Sequence, residues 1–239
     1  MNRGSSTMNY TEIEWVKNPD HSKGRSWNPY PGCRHGCSYC YARRLAHRFG
    51  RSFEPVFMPE RLDEPGKVKK GTRIFAGSAG DLLGEWVPTE VIHAILQVVR
   101  DCPQHDFFFL TKNPFRLSFF NPWPPNASVG ATATNKASFR VAMEALGMVK
   151  AAVRFISLEP FVERVEPDIS STIDWLIMGT MTGPRAMPTA REWVCEMIRW
   201  AGKHRVPYFT KDNLRKKLAP YSQMWPNFEQ LRRRFIERG

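Results

Sequence analysis

Nowhere in the 239 residues does an apolar run approach the ~18 to 20 positions of a membrane span, so no membrane partner is expected. The opening stretch "MNRGSSTMNYTEIEW" lacks the apolar centre of a secretory signal, and the chain reads as cytoplasmic. Cysteine is scarce and odd in number: five residues, three of them crowded into Cys33 to Cys40, which excludes a framework of paired disulfides. There is no long linker, low-complexity tract or short repeat. One domain over residues 1–239 is therefore expected, with a short N-terminal extension of about 25 residues and a basic segment from 203 to 239.

Acid is the other shortage. Lys and Arg total 35 against 23 Asp and Glu, a net charge of +12. Between Lys23 and Arg51 there are seven basic residues and no acidic one, and Lys203 to Gly239 holds ten basic and three acidic residues. Each segment carries +7, so the remaining chain is slightly acidic. Either these are solvated faces, or they meet an anionic partner, with nucleic acid first and a nucleotide or phosphorylated metabolite second.

What the chain has in abundance is core material: 42% hydrophobic residues, including eight Trp and sixteen Phe. Strand-like runs cover Thr72–Ser78, Asp106–Lys112, Ala127–Ala133, Val153–Pro160, Asp174–Gly179 and Val206–Lys211, with a weaker one near Trp27–Tyr30. Helical periodicity runs over Pro88–Asp101, Asn135–Val149 and Thr189–Lys203, with Thr89 and Thr189 as N-cap candidates, and "YARRLAHRFG" is also helical. A βα repeat of this kind specifies an α/β fold with a parallel sheet, open or curled into a partial or full (β/α) barrel. The Pro-rich "NPWPPN" is a loop.

In such folds the chemistry gathers at the carboxyl ends of the strands. Ser78 with Asp81, Thr111 with Lys112, Thr132, Glu159, and Thr210 with Lys211 all fall at strand ends, where an apolar strand has no packing reason to finish in polar groups. Cys33, Cys37 and Cys40 form C-x3-C-x2-C just before a helix. Thiolates in this pattern suit zinc, with His35, His47, Cys102 or Cys195 as a fourth ligand. They equally suit a cubane held by three cysteines with one iron left open. Cys102 and Cys195 are most simply packing residues.

C-x3-C-x-aromatic-C after the first strand of a βα repeat resembles the radical S-adenosylmethionine (SAM) superfamily. The resemblance implies a (β/α) barrel and a 4Fe-4S cluster on Cys33, Cys37 and Cys40, with Tyr39 beside the adenine. It also implies one-electron cleavage of SAM to methionine and a 5′-deoxyadenosyl radical, fed by a flavodoxin or ferredoxin. Where many members carry a Gly-Gly-Glu segment, "AGSAGDLLGEWVP" offers Ser78 and Asp81, similar to the Ser-x-x-Asp version in relatives of spore photoproduct lyase. Ser128, Thr132 and Glu159 are further SAM candidates, and Lys112, Arg185, Lys211, Arg43 and Arg44 are candidates for substrate anions.

A closer resemblance spans "TEIEW", "WNPYPGC", "GDLLGEWVP", "LTKNPFRL", "WPPNASVGAT", "RFISLEP" and "IDWLIMG". These are similar to a phage-associated, three-cysteine radical SAM-like family, which implies a bacterial host cytoplasm and a DNA or nucleotide substrate. Thymine hypermodification, such as isomerisation of an amino-acid adduct, is one such activity. The family's "GGESG" reads "GTMTG" here, from Gly179 to Gly183, so a carboxylate is missing. A noncatalytic, zinc- or cluster-stapled nucleic-acid-binding module and a radical SAM enzyme acting on a peptide or metabolite remain the alternatives.

Overall fold

A computed structural model describes residues 8–166, 172–183, 186–218 and 222–238. The chain divides into two compact units, Met1–Phe109 and Leu110–Gly239. In the first, β1 (Asn9–Tyr10) lies antiparallel to β2 (Arg25–Trp27), β2 runs parallel to β3 (Arg73–Ala76), and β3 runs parallel to β4 (Asp106–Thr111). α1 (Tyr41–Arg48) joins β2 to β3, and α2 (Thr89–Asp101) joins β3 to β4.

The core of this unit is aromatic. Trp15 packs on Phe75 and Phe108 with ring centroids 5.0 and 5.7 Å apart, and Trp27 meets Phe107 at 5.8 Å. α2 closes over it with Val91, Ile92, Ile95, Leu96 and Val99 buried along one stripe, each such side chain contributing about 1.5–3 kcal/mol of transfer free energy. α1 buries nothing.

In the second unit β5 (Ala127–Ala133), β6 (Val153–Leu158), β7 (Trp175–Met178) and β8 (Tyr208–Thr210) pair in chain order, all parallel. α3 (Lys136–Gly147) joins β5 to β6, α4 (Arg191–Lys203) joins β7 to β8, and α5 (Asp212–Leu218) and α6 (Phe228–Arg238) follow. Parallel strands covered on both faces need apolar side chains throughout, which explains the wholly buried "WLIM" of β7. Trp175 is its centre, 5.9 Å from Phe155, 6.2 Å from Phe209 and 5.8 Å from Phe228 of α6.

The α/β class with parallel strands is thus as expected, and the six main strands appear, Ala127–Ala133 in full and the other five with trimmed ends. The weak strand sits earlier, at β2, because Pro29 and Pro31 have no N–H to give a ladder. Both N-cap candidates are corrected. Pro88 caps α2 and Ala190 caps α4, neither with a side-chain hydrogen bond. The Thr189 hydroxyl instead donates to the Phe161 carbonyl at 2.6 Å. Among the described residues no helix is long and apolar enough to cross a membrane.

Candidate functional site

The cysteine loop leaves the carboxyl end of β2 and is pinned at its start. Gly32 pairs with Gly80 as a parallel bridge, and its N–H donates to the Ala79 carbonyl at 2.9 Å. At φ +95° with a built Cβ only 2.4 Å from the Glu54 carbonyl oxygen, position 32 accepts only glycine. This brings the loop after β3, with Ser78 and Asp81, against the residue before Cys33. Asn28 secures the same junction: its Oδ1 accepts the Ala79 N–H at 2.7 Å, and its amide lies 3.1 Å from the Ser78 hydroxyl. The Tyr41 hydroxyl donates to the Ser78 carbonyl at 2.8 Å.

Cys33, Cys37 and Cys40 are free thiols, each half-buried. Cys40 is the N-cap of α1, and its Sγ accepts the Arg43 N–H at 3.4 Å. Burial pushes the Cys33 thiol up to about 11; a hydrogen bond from the His35 backbone opposes it, and the Asp81 carboxylate and the other two thiols add smaller pushes upward. Among the described residues, no three His, Cys, Asp or Glu side chains converge to hold one metal ion. A cubane places each thiolate on a different iron, so its cysteines need not converge on one point. Three thiols in one loop are a donor set that fits a cubane held by three cysteines.

Around this loop the structure adds residues that the sequence reading did not assign. His35, considered above only as a zinc ligand, has Nε2 2.7 Å from Asp81 Oδ2, and its ring meets Trp86 edge-on at 4.9 Å. Asp81 is 4% exposed, and its other oxygen accepts the Leu83 N–H at 3.0 Å. Arg43 donates to the Cys33 carbonyl at 2.8 Å and lies over the Phe53 ring at 5.2 Å, so it braces the loop. Tyr39 is half-buried within it, and Arg44 is exposed. Neither Asn28 nor the His35–Asp81 pair leaves a signal in local spacing, since the partners lie 50 and 46 residues apart.

The remaining candidates belong to the second unit. Glu159 follows β6 and Lys211 follows β8; Lys211 Nζ donates to Glu159 Oε1 at 2.6 Å, with both side chains about one-quarter exposed or less. The first glycine of "GTMTG" makes this possible, because a Cβ on Gly179 would lie 2.7 Å from Glu159 Oε1. Thr180 is fixed by Asn213, which accepts its N–H at 3.3 Å and donates to its carbonyl at 3.1 Å. Met181 stands where "GGESG" has its carboxylate. Thr132 is near the carboxyl end of β5, but Ser128 is the second residue of that strand and lies at its opposite end. Lys112 follows β4 and is half-buried. Arg185 and the side chain of Lys216 lie outside the described residues.

Residues 10–219 match the family described as a protein of unknown function, DUF5131. The chain belongs to the DUF5131 family. No curated protein matches it. Among solved structures, spore photoproduct lyase complexed with dinucleoside spore photoproduct is similar at a TM-score of 0.52 and 13% identity, over 98% of this chain and 77% of that one. A spore photoproduct lyase variant with bound AdoMet and the same dinucleoside gives 0.50 and 13%, over 99% and 77%. A radical SAM methyltransferase from Sphaerobacter thermophilus gives 0.50 and 9%, over 81% and 67%. This DUF5131 chain therefore has a fold similar to that of radical SAM proteins.

Proposed function

We propose that the chain is a radical SAM enzyme holding a 4Fe-4S cluster on Cys33, Cys37 and Cys40, and that it modifies a nucleic-acid base or nucleotide. One observation carries the reading: three free, half-buried thiols in C-x3-C-x2-C spacing between β2 and α1, in a fold similar to radical SAM proteins. Held on Cys33, Cys37 and Cys40, the cluster would supply the low-potential electron for reductive cleavage of SAM. The chain's own residues hold and orient. Asp81 fixes His35, Asn28 and Tyr41 fix the Ser78 loop, and Tyr39 is assigned to the adenine. Thr132 and Glu159 are the remaining SAM candidates, with Glu159 released from Lys211 when it binds. Lys112, Lys211 and Arg44 are assigned to substrate anions.

The basic segments favour a polynucleotide over a peptide or metabolite, and the resemblance to a phage-associated family favours phage DNA, including isomerisation of an amino-acid adduct on thymine. Spore photoproduct lyase, similar in fold, is complexed with a dinucleoside, which supports a nucleic-acid substrate. A flavodoxin or ferredoxin supplies the electron, in the cytoplasm of a bacterial host. One functional domain spans both units, as does the family match over residues 10–219.

The test is anaerobic reconstitution with about four iron and four sulfide per chain. The protein is then incubated with SAM, reductant and DNA from a host that makes modified precursors, and the digested nucleosides are examined by mass spectrometry. A changed nucleoside with release of 5′-deoxyadenosine supports the reading. One zinc per chain after careful reconstitution overturns it in favour of a stapled binding module.

A further inference from the structure

α1 breaks the rule that a surface helix buries its apolar stripe. Tyr41, Leu45 and Phe49 recur every four residues along α1 and its C-cap, yet they are 57%, 50% and 62% exposed. The α2 and α4 stripes of the same chain are buried. Beside this stripe stand Arg44, Arg48 and Arg51, all exposed, and Arg51 lies over the Phe49 ring at 5.8 Å. No acidic residue falls between Lys23 and Arg51, and the next one, Glu54, is paired with Arg34 at 3.2 Å. The hydroxyl bond from Tyr41 to the Ser78 carbonyl holds one ring in place, so little freedom is lost when a flat partner settles on it.

We infer that α1 and the turn after it bind an unpaired segment of nucleic acid, with bases stacked on Tyr41 and Phe49 and phosphates met by Arg44, Arg48 and Arg51. The argument separates single strands from duplex. Inside a duplex each base face is covered by its neighbour, so exposed rings gain nothing there. A helix that reads the major groove does so with polar side chains, whereas the central stripe here is apolar. Aromatic rings interleaved with guanidinium groups match an unstacked strand, in which base and phosphate are both accessible. The inference rests on the polynucleotide reading above and narrows it: the substrate is presented with its bases out of the stack, as any chemistry on a base requires.

The test uses the full chain with its cluster reconstituted, and measures anisotropy of a fluorescent oligodeoxythymidine of about 12 nucleotides, a length within the usual range of such sites, against a duplex of equal length. The single strand should bind at least about 10-fold more tightly. Phe49→Ala should weaken it by about 5- to 150-fold, the range for loss of one stacked base, with an unchanged salt slope and an unchanged cluster absorption. Phe49→Trp should restore it. Arg48→Gln should lower the slope of log affinity against log salt by about 0.7. Equal binding of duplex and single strand, or indifference to Phe49→Ala, overturns the inference while the polynucleotide reading stands. Binding of neither probe overturns both. If the two variants instead slow reduction of the cluster by an acidic electron-transfer protein and leave oligonucleotide binding unchanged, the surface belongs to that protein and the inference fails.

Discussion

Asp81 is asked to serve two neighbours at once, and its surroundings say which comes first. It is buried, one oxygen accepts the Leu83 N–H and the other holds His35 in the middle of the cysteine loop. In the proposed function its role is therefore to position His35. Asp81→Asn, which keeps the shape and one acceptor, should retain the absorption near ~400 nm of a reconstituted cluster and shift its electron paramagnetic resonance spectrum on adding SAM. Asp81→Ala removes the hydrogen bonds to the Leu83 N–H and His35 and should cost about 1–3 kcal/mol of stability as well. Cys33→Ala, Cys37→Ala or Cys40→Ala should each abolish the colour, whereas Cys102→Ala and Cys195→Ala should not. His105 gives a second test at this scale. Its Nδ1 accepts the Thr72 N–H at 3.2 Å and its Nε2 lies 3.1 Å from the Pro65 carbonyl, so the ring is neutral with the proton on Nε2. Burial holds its pKa below the usual value despite hydrogen bonds that act the other way. The unfolded chain then takes up the proton first. The stability from His105 is complete above about pH 6.5 and falls as the pH drops below it. In urea melts at several pH values, the stability gap between the native chain and His105→Gln should narrow from pH 8 to 5; a constant gap would contradict the assignment.

Among elements, what was legible followed from burial that is local in sequence. β4 and β7 declare themselves because every residue of "DFFF" and "WLIM" is apolar or near a strand end, and α2 declares itself by its stripe. The cysteines were legible for the same reason, since their spacing is a local signal. Caps were not. Thr189 looked like an N-cap, but its hydroxyl serves the Phe161 carbonyl and Thr180, both distant in sequence. α5 and α6 lie inside a segment that reads only as charge, and α6 is anchored by Phe228 against Trp175. The Asn135 cap of α3 escaped because the reciprocal residue is Ser138 and not the usual Glu or Gln; Asn135 Oδ1 accepts the Ser138 N–H at 2.8 Å, and the Ser138 hydroxyl accepts the Asn135 N–H at 3.1 Å. Asn135→Ala should therefore destabilise the chain by about 0.5–2 kcal/mol, and Asn135→Gly by only a few tenths. Chemical denaturation of the two variants decides this, and no loss in Asn135→Ala would mean that the cap bond adds nothing.

At the scale of the whole molecule the net charge of +12 overstates what can meet a polyanion. Of the seven basic residues from Lys23 to Arg51, Lys23 is paired with Glu12, Arg25 donates to the Met8 carbonyl and lies over Tyr10, Arg34 is paired with Glu54, and Arg43 braces Cys33. Arg44, Arg48 and Arg51 remain exposed. In the basic C-terminal segment Arg233 is paired with Glu229, Lys211 with Glu159 and Arg215 with Asp212, while Lys203, Arg205, Arg234 and Arg238 are exposed. Arg232 is half-buried, and burial lowers its pKa. Charge already neutralised within the protein releases few counterions from DNA, so the slope of log affinity against log salt should reflect the exposed arginines and not the total. Three contacts from the first segment correspond to about −2 for a single strand, at roughly −0.7 each. Arg44→Gln should reduce the magnitude by about one contact, and Arg233→Gln should leave it nearly unchanged while also freeing Glu229. Fluorescence titrations between low and physiological salt measure both. A slope several-fold steeper than −2 would mean that the polyanion surface extends to the exposed basic residues of the C-terminal segment, and equal effects of the two variants that Arg233 leaves Glu229 for phosphate.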